Sequence, residues 1–165
     1  MQQARGAIDT ARAAGAGEYA NAELTAAETA LKRAYDAVQQ RDYRLALNHA
    51  LDARERAQSA AKQAADGKAI ARTEAERALG MTTSALNDAR VRLRAAERAR
   101  MPAGTLAGPR RVIDDADTAL QKARAEFARG EYRTVVETLG ETGSRLRDVS
   151  HDLEAAGRAA ARRRR

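Results

Sequence analysis

The chain has 165 residues, with 30 Lys and Arg against 23 Asp and Glu, two His, one Phe, two Pro, and neither Cys nor Trp. Without cysteine there is no disulfide and no thiolate metal site, and no stretch approaches the ~20 apolar residues of a membrane-spanning helix. Ala, Arg, Glu, Leu, Lys and Gln dominate and no window alternates with period two, so the expected fold is all-α.

The first expected helix covers residues 3–14 and ends at Ala14-Gly15-Ala16-Gly17. The second covers 20–40, where Leu24, Ala27, Leu31, Ala34 and Val38 recur at spacings of three and four and form one apolar stripe. Gln40-Arg41-Asp42-Tyr43 reads as the turn of an αα-hairpin, with Asp42 capping the next helix and Tyr43 covering the hairpin end from its first turn. That helix, 43–66, carries Ala46, Ala50, Ala53, Ala57, Ala60 and Ala64 at the same spacing, a seam that lets backbones approach closely. Residues 67–80 are expected to be a helical connection punctuated only by Gly67 and Gly80, although the stripe slips phase between Ala64 and Leu86. A helix continuous from 43 to 101 would be about 90 Å long. A break near Gly67 would instead let two bundles fold side by side.

A further helix is expected over 81–101, ending at Met101-Pro102-Ala103-Gly104. The next, 109–129, carries Ile113, Ala116, Leu120, Ala123 and Phe127 as its stripe. Arg129-Gly130-Glu131-Tyr132 repeats the hairpin turn, with Gly130 suited to a left-handed helix end and Glu131 complementing the following N-terminal dipole. The last helix, 131–157, carries Val135, Leu139, Thr142, Leu146, Val149 and Leu153, and an Arg-rich tail occupies 158–165.

Residues 27–44 recur 89 positions later as 116–133, with seven of the eighteen positions identical. One helical unit is therefore written twice, as repeat 1 over 1–66 and repeat 2 over 81–157. The expected architecture is two tandem antiparallel three-helix bundles joined by a long shared helix into an elongated rod. The larger stripe residues of the second copy should give it the better core.

The elements Ala14-Gly15-Ala16, Tyr19-Ala20, Glu23-Leu24 and Asp42-Tyr43 resemble a helical domain of unknown function found in bacterial envelope lipoproteins, often upstream of an OmpA-like peptidoglycan-binding domain. The resemblance covers residues 4–65, and the second copy is a diverged echo of it. That family commonly has Pro after the Tyr-Ala pair, where this chain has Asn21, and no OmpA-like sequence occurs here. The resemblance implies an exported, lipid-anchored protein of the periplasm or outer membrane whose signal and anchoring Cys lie ahead of Gln2; it supplies no activity. The second helix of each hairpin also resembles a tetratricopeptide helix, but that repeat recurs every ~34 residues.

Candidate chemistry is sparse. His49 with Asp52, and Asp148 with His151, have the i,i+3 spacing that puts two ligands on one helix face, but two residues leave a metal's coordination unfilled and no His-Glu-x-x-His pattern is present. Asp114, Asp115 and Asp117 read as helix-start and surface-pairing acids. No catalytic, cofactor or metal site is therefore expected. The formal charge of +7 is concentrated: residues 90–111 hold seven Arg against Glu97, Arg158 and Arg162 to Arg165 add five more, and the rest of the chain is net acidic. Arg90, Arg92, Arg94, Arg98, Arg100, Arg110 and Arg111 are thus candidate polyanion contacts, with Arg162, Arg163, Arg164 and Arg165 at the same pole of an up-down-up bundle. Anionic lipid, cell-wall carboxylates, an acidic protein or nucleic acid would all be attracted, nucleic acid least, because no aromatic residues are interleaved for base stacking. The function expected is a non-catalytic spacer or interaction domain of the bacterial cell envelope. The alternative is a cytosolic helical adaptor that binds an acidic partner through its arginines.

Overall fold

Helix formers interrupted only by short turns give an all-α chain in the computed structural model, which describes residues 1–163 apart from the side chains of Ala160, Ala161 and Arg163. The described helices are α1 (Gln2–Ala13), α2 (Ala16–Tyr19), α3 (Asn21–Gln39), α4 (Tyr43–Arg98), α5 (Ala103–Arg129), α6 (Tyr132–Leu139) and α7 (Thr142–Arg163). They divide into two compact units, Met1–Ile70 and Ala71–Arg165. Residues 67–80 lie inside α4, and the tail expected from 158 is helical as far as Arg163.

In unit 1, α1 and α3 pack on α4 through a core of small side chains. Ala4, Ile8 and Ala11 of α1 meet Leu24, Ala27 and Leu31 of α3 and Ala53, Ala57, Ala60 and Ala64 of α4. Gly67 has its own reason: a Cβ there would stand 3.1 Å from the Cβ of Tyr19, so its bare backbone admits the tyrosine of α2. The α3–α4 turn closes with Arg41 in the left-handed region (φ 63), the Asp42 N–H donating to the Ala37 carbonyl and the Leu45 N–H donating to Asp42 Oδ1 at 2.9 Å. Asp42 is the cap its spacing implies. Val38 and Tyr43, expected on the stripe and over the hairpin end, are instead exposed, and Ala37 takes the buried position.

In unit 2, Val135, Leu139 and Leu146 pack against Ile113, Leu120, Ala75 and Leu86. The repeat's register survives in burial: Leu24, Ala27, Leu31 and Ala34 and their counterparts Ile113, Ala116, Leu120 and Ala123 are all buried. The phase slip is resolved within α4, where Ala71 to Ala75 and Thr82 to Leu86 are four-residue steps. Such extra fours return a 3.5-residue stripe to the 3.6-residue helix.

Three boundaries differ from the sequence expectation. The fifth helix starts at Ala103 rather than 109, with Pro109 inside it. An interior proline costs about 3 kcal/mol, and burial of Leu106 with Ala96 and Leu153 is what holds the turn ahead of it in place. Asp114, Asp115 and Asp117 consequently fall in mid-helix, not at a helix start. The last helix breaks at Gly140 and Glu141 into α6 and α7, where two glycines within four residues weaken helix propensity. Finally, α2 forms a separate turn within the connection between α1 and α3.

Gly80 has open space around its missing Cβ. Gly80→Ala should therefore stabilise by about 1 kcal/mol, whereas Gly67→Ala should destabilise through Tyr19; chemical denaturation of the two variants reads opposite signs. Leu146, fully buried, should cost about 2–5 kcal/mol as Ala. Ala57→Leu should cost about 1–3 kcal/mol by overpacking the close seam, measured in the same way.

Candidate functional site

The candidate arginines gather where α4 turns into α5. The last turn of α4 is closed by the Arg100 N–H to the Glu97 carbonyl and the Met101 N–H to the Ala96 carbonyl, with Arg100 left-handed at φ 57. This is a Schellman ending with arginine where glycine is usual. Pro102, extended at φ −55 and ψ 136, then starts α5. Beneath the turn, Ala96, Leu106 and Leu153 form a buried cluster with Met101 and Val149 against it. Residues 149–153 of α7 are thereby brought beside the α4–α5 turn.

Three of the seven arginines in this segment are held by carboxylates. Arg90 pairs with Asp117 at 3.0 Å, Arg110 with Glu97 at 2.7 Å, and Arg92 with Glu154 of α7. Arg158 binds the other oxygen of Glu154, so one carboxylate joins the two arginine groups. Glu154 is held below the usual carboxylate range, first by the Arg158 hydrogen bond, then by the charges of Arg158 and Arg92. Arg98 Nε donates to the Arg94 carbonyl at 3.2 Å. Among the described residues, Arg94, Arg98, Arg100 and Arg111 are exposed and have no carboxylate within 4.0 Å. Arg94 and Arg98 are one turn apart on the line that starts at Arg90. Arg162 is exposed one turn beyond Arg158. The Arg163 side chain, Arg164 and Arg165 lie outside the described residues. Four uncompensated guanidiniums at one hairpin end can hold an anionic polymer or an acidic surface; they form no enclosed pocket.

Elsewhere in unit 2, an open groove of about 420 Å³ between α4 and α7 is lined by Asp88, Arg92, Arg147, His151 and Glu154, with Ser150 among its walls. Sequence reasoning placed none of these side chains together, because α4 and α7 are distant in the chain and their alignment depends on tertiary packing. His151 Nδ1 lies 3.8 Å from Asp152 rather than beside Asp148, and both groups are exposed. Glu126 was also missed. It occupies the position of Ala37 in the first copy, is 2% exposed, accepts a hydrogen bond from Thr138 Oγ1 at 2.9 Å and lies 3.8 Å from Lys122 Nζ. Its only sequence signal was a charged residue one place before the expected stripe residue Phe127. Among the described residues, no group of three or more His, Asp and Glu converges as a metal would need.

No family model matches the chain, and neither curated proteins nor solved structures yield a match.

A carboxyl whose folded-state pKa is depressed adds stability above its unfolded pKa of about 4.3, and loses it as pH falls through the folded value. Glu154→Gln should therefore melt below the wild type at pH 6, and the gap should close as pH drops below ~4. Melting temperatures of the two proteins from pH 6 to 2 test this; a gap independent of pH removes the Arg92–Glu154–Arg158 bridge from the account.

Proposed function

We propose that the chain is a non-catalytic interaction and spacer domain of the bacterial cell envelope, holding an anionic cell-wall polymer or acidic protein surface at the α4–α5 hairpin end. The observation that carries the binding part is the set Arg94, Arg98, Arg100 and Arg111, exposed and without carboxylate partners among the described residues. Guanidinium groups keep their charge at all physiological pH and offer forked donors that fit carboxylates and phosphates. Because such contacts are exposed, their strength comes from summed charge and falls with salt, since the screening length is ~8 Å at physiological ionic strength. The envelope setting rests on the resemblance carried by Ala14-Gly15-Ala16, Tyr19-Ala20, Glu23-Leu24 and Asp42-Tyr43, which in that family go with export and lipid anchoring.

Two measurements test the reading. Co-sedimentation with isolated peptidoglycan sacculi should fall steeply between 50 and 300 mM salt, in the range where ionic contacts are lost. The Arg94, Arg98, Arg100 and Arg111→Gln quadruple variant should lose it, while Arg90→Gln, which only breaks a pair with Asp117, should keep most of it. Fractionation of cells expressing the gene from its native start should place the protein in the envelope. Salt-insensitive binding, or binding unchanged in the quadruple variant, removes the arginine surface; a purely cytosolic protein leaves the adaptor reading in its place.

A further inference from the structure

The second copy of the repeat shows what the first leaves uncovered. In unit 2 the third helix runs far along its hairpin: Ala75 and Leu86 share a buried cluster with Val135 and Leu139, and Ala78 and Leu79 pack against that cluster beside Tyr132 and Val136. Phe127 lies under the same cover, its ring 5.2 Å from that of Tyr132. At the repeat's shift of 89, the counterparts of Phe127, Tyr132 and Val136 are Val38, Tyr43 and Leu47. These are exposed in unit 1, Tyr43 at 68% and Leu47 at 60%.

The reason is where the third helix meets the hairpin. In unit 1, α1 is seated through Arg5 over the Tyr35 ring at 5.9 Å and Gln3 accepting from Arg54 at 3.0 Å. Past that level, Ala34 and Ala37 of α3 and Ala46 and Ala50 of α4 are still buried, but the unit's core cluster contains, among the described residues, nothing of α3 beyond Leu31 and nothing of α4 ahead of Ala53. Tyr43, Leu47 and Leu51 lie at i, i+4 and i+8, one line along α4, on the flank that Arg54 shares with α1. Val38 lies one turn beyond Tyr35 on the flank of α3 that also faces α1. Among the described residues of unit 1, the groove between α3 and α4 that seats α1 therefore runs on to the hairpin turn, apolar and with no helix of the unit over it. Arg44, exposed one turn before Leu47, adds positive charge beside it.

We propose that this groove, walled by Val38, Tyr43, Leu47 and Leu51, docks an amphipathic α-helix of another protein in the place that residues 75–86 of α4 fill in unit 2. About three turns of helix span it at 1.5 Å per residue. Ala46 and Ala50, which stand where unit 2 has Val135 and Leu139, are already buried, so the partner is read by the rim residues Val38, Tyr43, Leu47 and Leu51 and carries larger aliphatic side chains than Ala75 and Ala78 to reach them, with acidic residues on its flank toward Arg44. The mode is an apolar helix face laid in a groove and read at i, i+3, i+4 and i+7. It uses none of the arginines of the α4–α5 hairpin, so either surface can fail without the other.

A synthetic peptide of residues 71–90 serves as the probe, with three companions: Ala75→Leu with Ala78→Leu, Leu79→Glu with Leu86→Glu, and a scrambled sequence. Hydrogen exchange of the full chain is followed with each peptide present. At ten times its dissociation constant, a bound helix should slow exchange through opening of residues 38–51 roughly tenfold. The dileucine peptide should act at lower concentration than the parent, and the diglutamate and scrambled peptides should have no effect. Leu47→Gln in the full chain, at an exposed position that leaves the fold intact by thermal melt, should weaken the dileucine peptide about tenfold or more. No slowing by the parent or dileucine peptide at 1 mM, equal slowing by the scrambled one, or indifference to Leu47→Gln overturns the proposal. So does slowing that grows with protein concentration alone, with a dimer in sedimentation equilibrium, because the occupant is then a second copy of this chain.

Discussion

Close approach of α3 and α4 through alanine is the constraint on which the rest of unit 1 depends. Every seam position of α4 from Ala46 to Ala64 is alanine and buried. Interaxial distance follows the side chains at the contact, so an alanine seam lets the two helices approach closely. Each buried alanine removes little apolar area from water compared with a leucine or valine, at roughly 25 cal/mol per Å². The unit must therefore collect its stability from a long seam, from the Asp42 cap, and from the few larger residues that reach the seam from the side: Ile8, Leu24, Leu31 and the inserted Tyr19. Gly67 belongs to the same economy of space. Its missing side chain lets α2 approach α4 as closely as the alanines let α3 do so.

Unit 2 solves the same topology with volume. Val135, Leu139 and Leu146 replace Ala46, Ala50 and Ala57 at equivalent positions and are buried to 3% exposure or less. Larger side chains need a third wall, which α4 supplies with Ala75, Leu86 and Ala89. The exchange also explains Glu126. At Ala37 the first copy buries a methyl group, whereas at the same position of the α5–α6 contact the second copy buries a carboxylate, which accepts a hydrogen bond from Thr138. A buried carboxylate is costly unless it is hydrogen-bonded, and one that binds a neighbour fixes the angle between helices as well as their distance. Specificity of packing, rather than stability, is what such a group contributes best.

Much of this could be read from the sequence. Apolar spacings of three and four located the stripes, the turn at Asp42 carried its own cap, and the shift of 89 aligned the two cores nearly residue by residue. Where sequence reasoning failed, the deciding term was tertiary. Pro109 looks like a helix start because local rules place proline in the first turn; burial of Leu106 beneath Met101 moved the start six residues earlier. Val38 looked buried because it continues the stripe, but a stripe is buried only where a neighbour exists. The arginines posed the same problem in charge. Counting along the chain gives seven positive groups in residues 90–111. Only the fold shows that Asp117, Glu97 and Glu154, each paired with an arginine of a different helix, take three of them.

The two surfaces left over have a common physical origin. Each copy of the unit has a hairpin and a third helix, and each leaves one surface uncompensated. In unit 2 the turn between the third helix and the hairpin carries more cations than nearby carboxylates can match, because Arg100 occupies a left-handed position more often given to glycine and so places a cation in the turn itself. In unit 1 the deficit is apolar, because α1 engages the hairpin only as far as Tyr35 and Arg54. Exposed large apolar residues scattered singly need no explanation, but six fall within residues 35–51, and Tyr43, Leu47 and Leu51 among them share one line of α4. An isolated chain would gain stability by replacing Leu47 and Tyr43 with polar helix formers at no cost in packing, since neither contacts the core cluster. Their presence in a sequence otherwise sparing of large apolar residues is the physical argument that this face is complete only when something else lies against it.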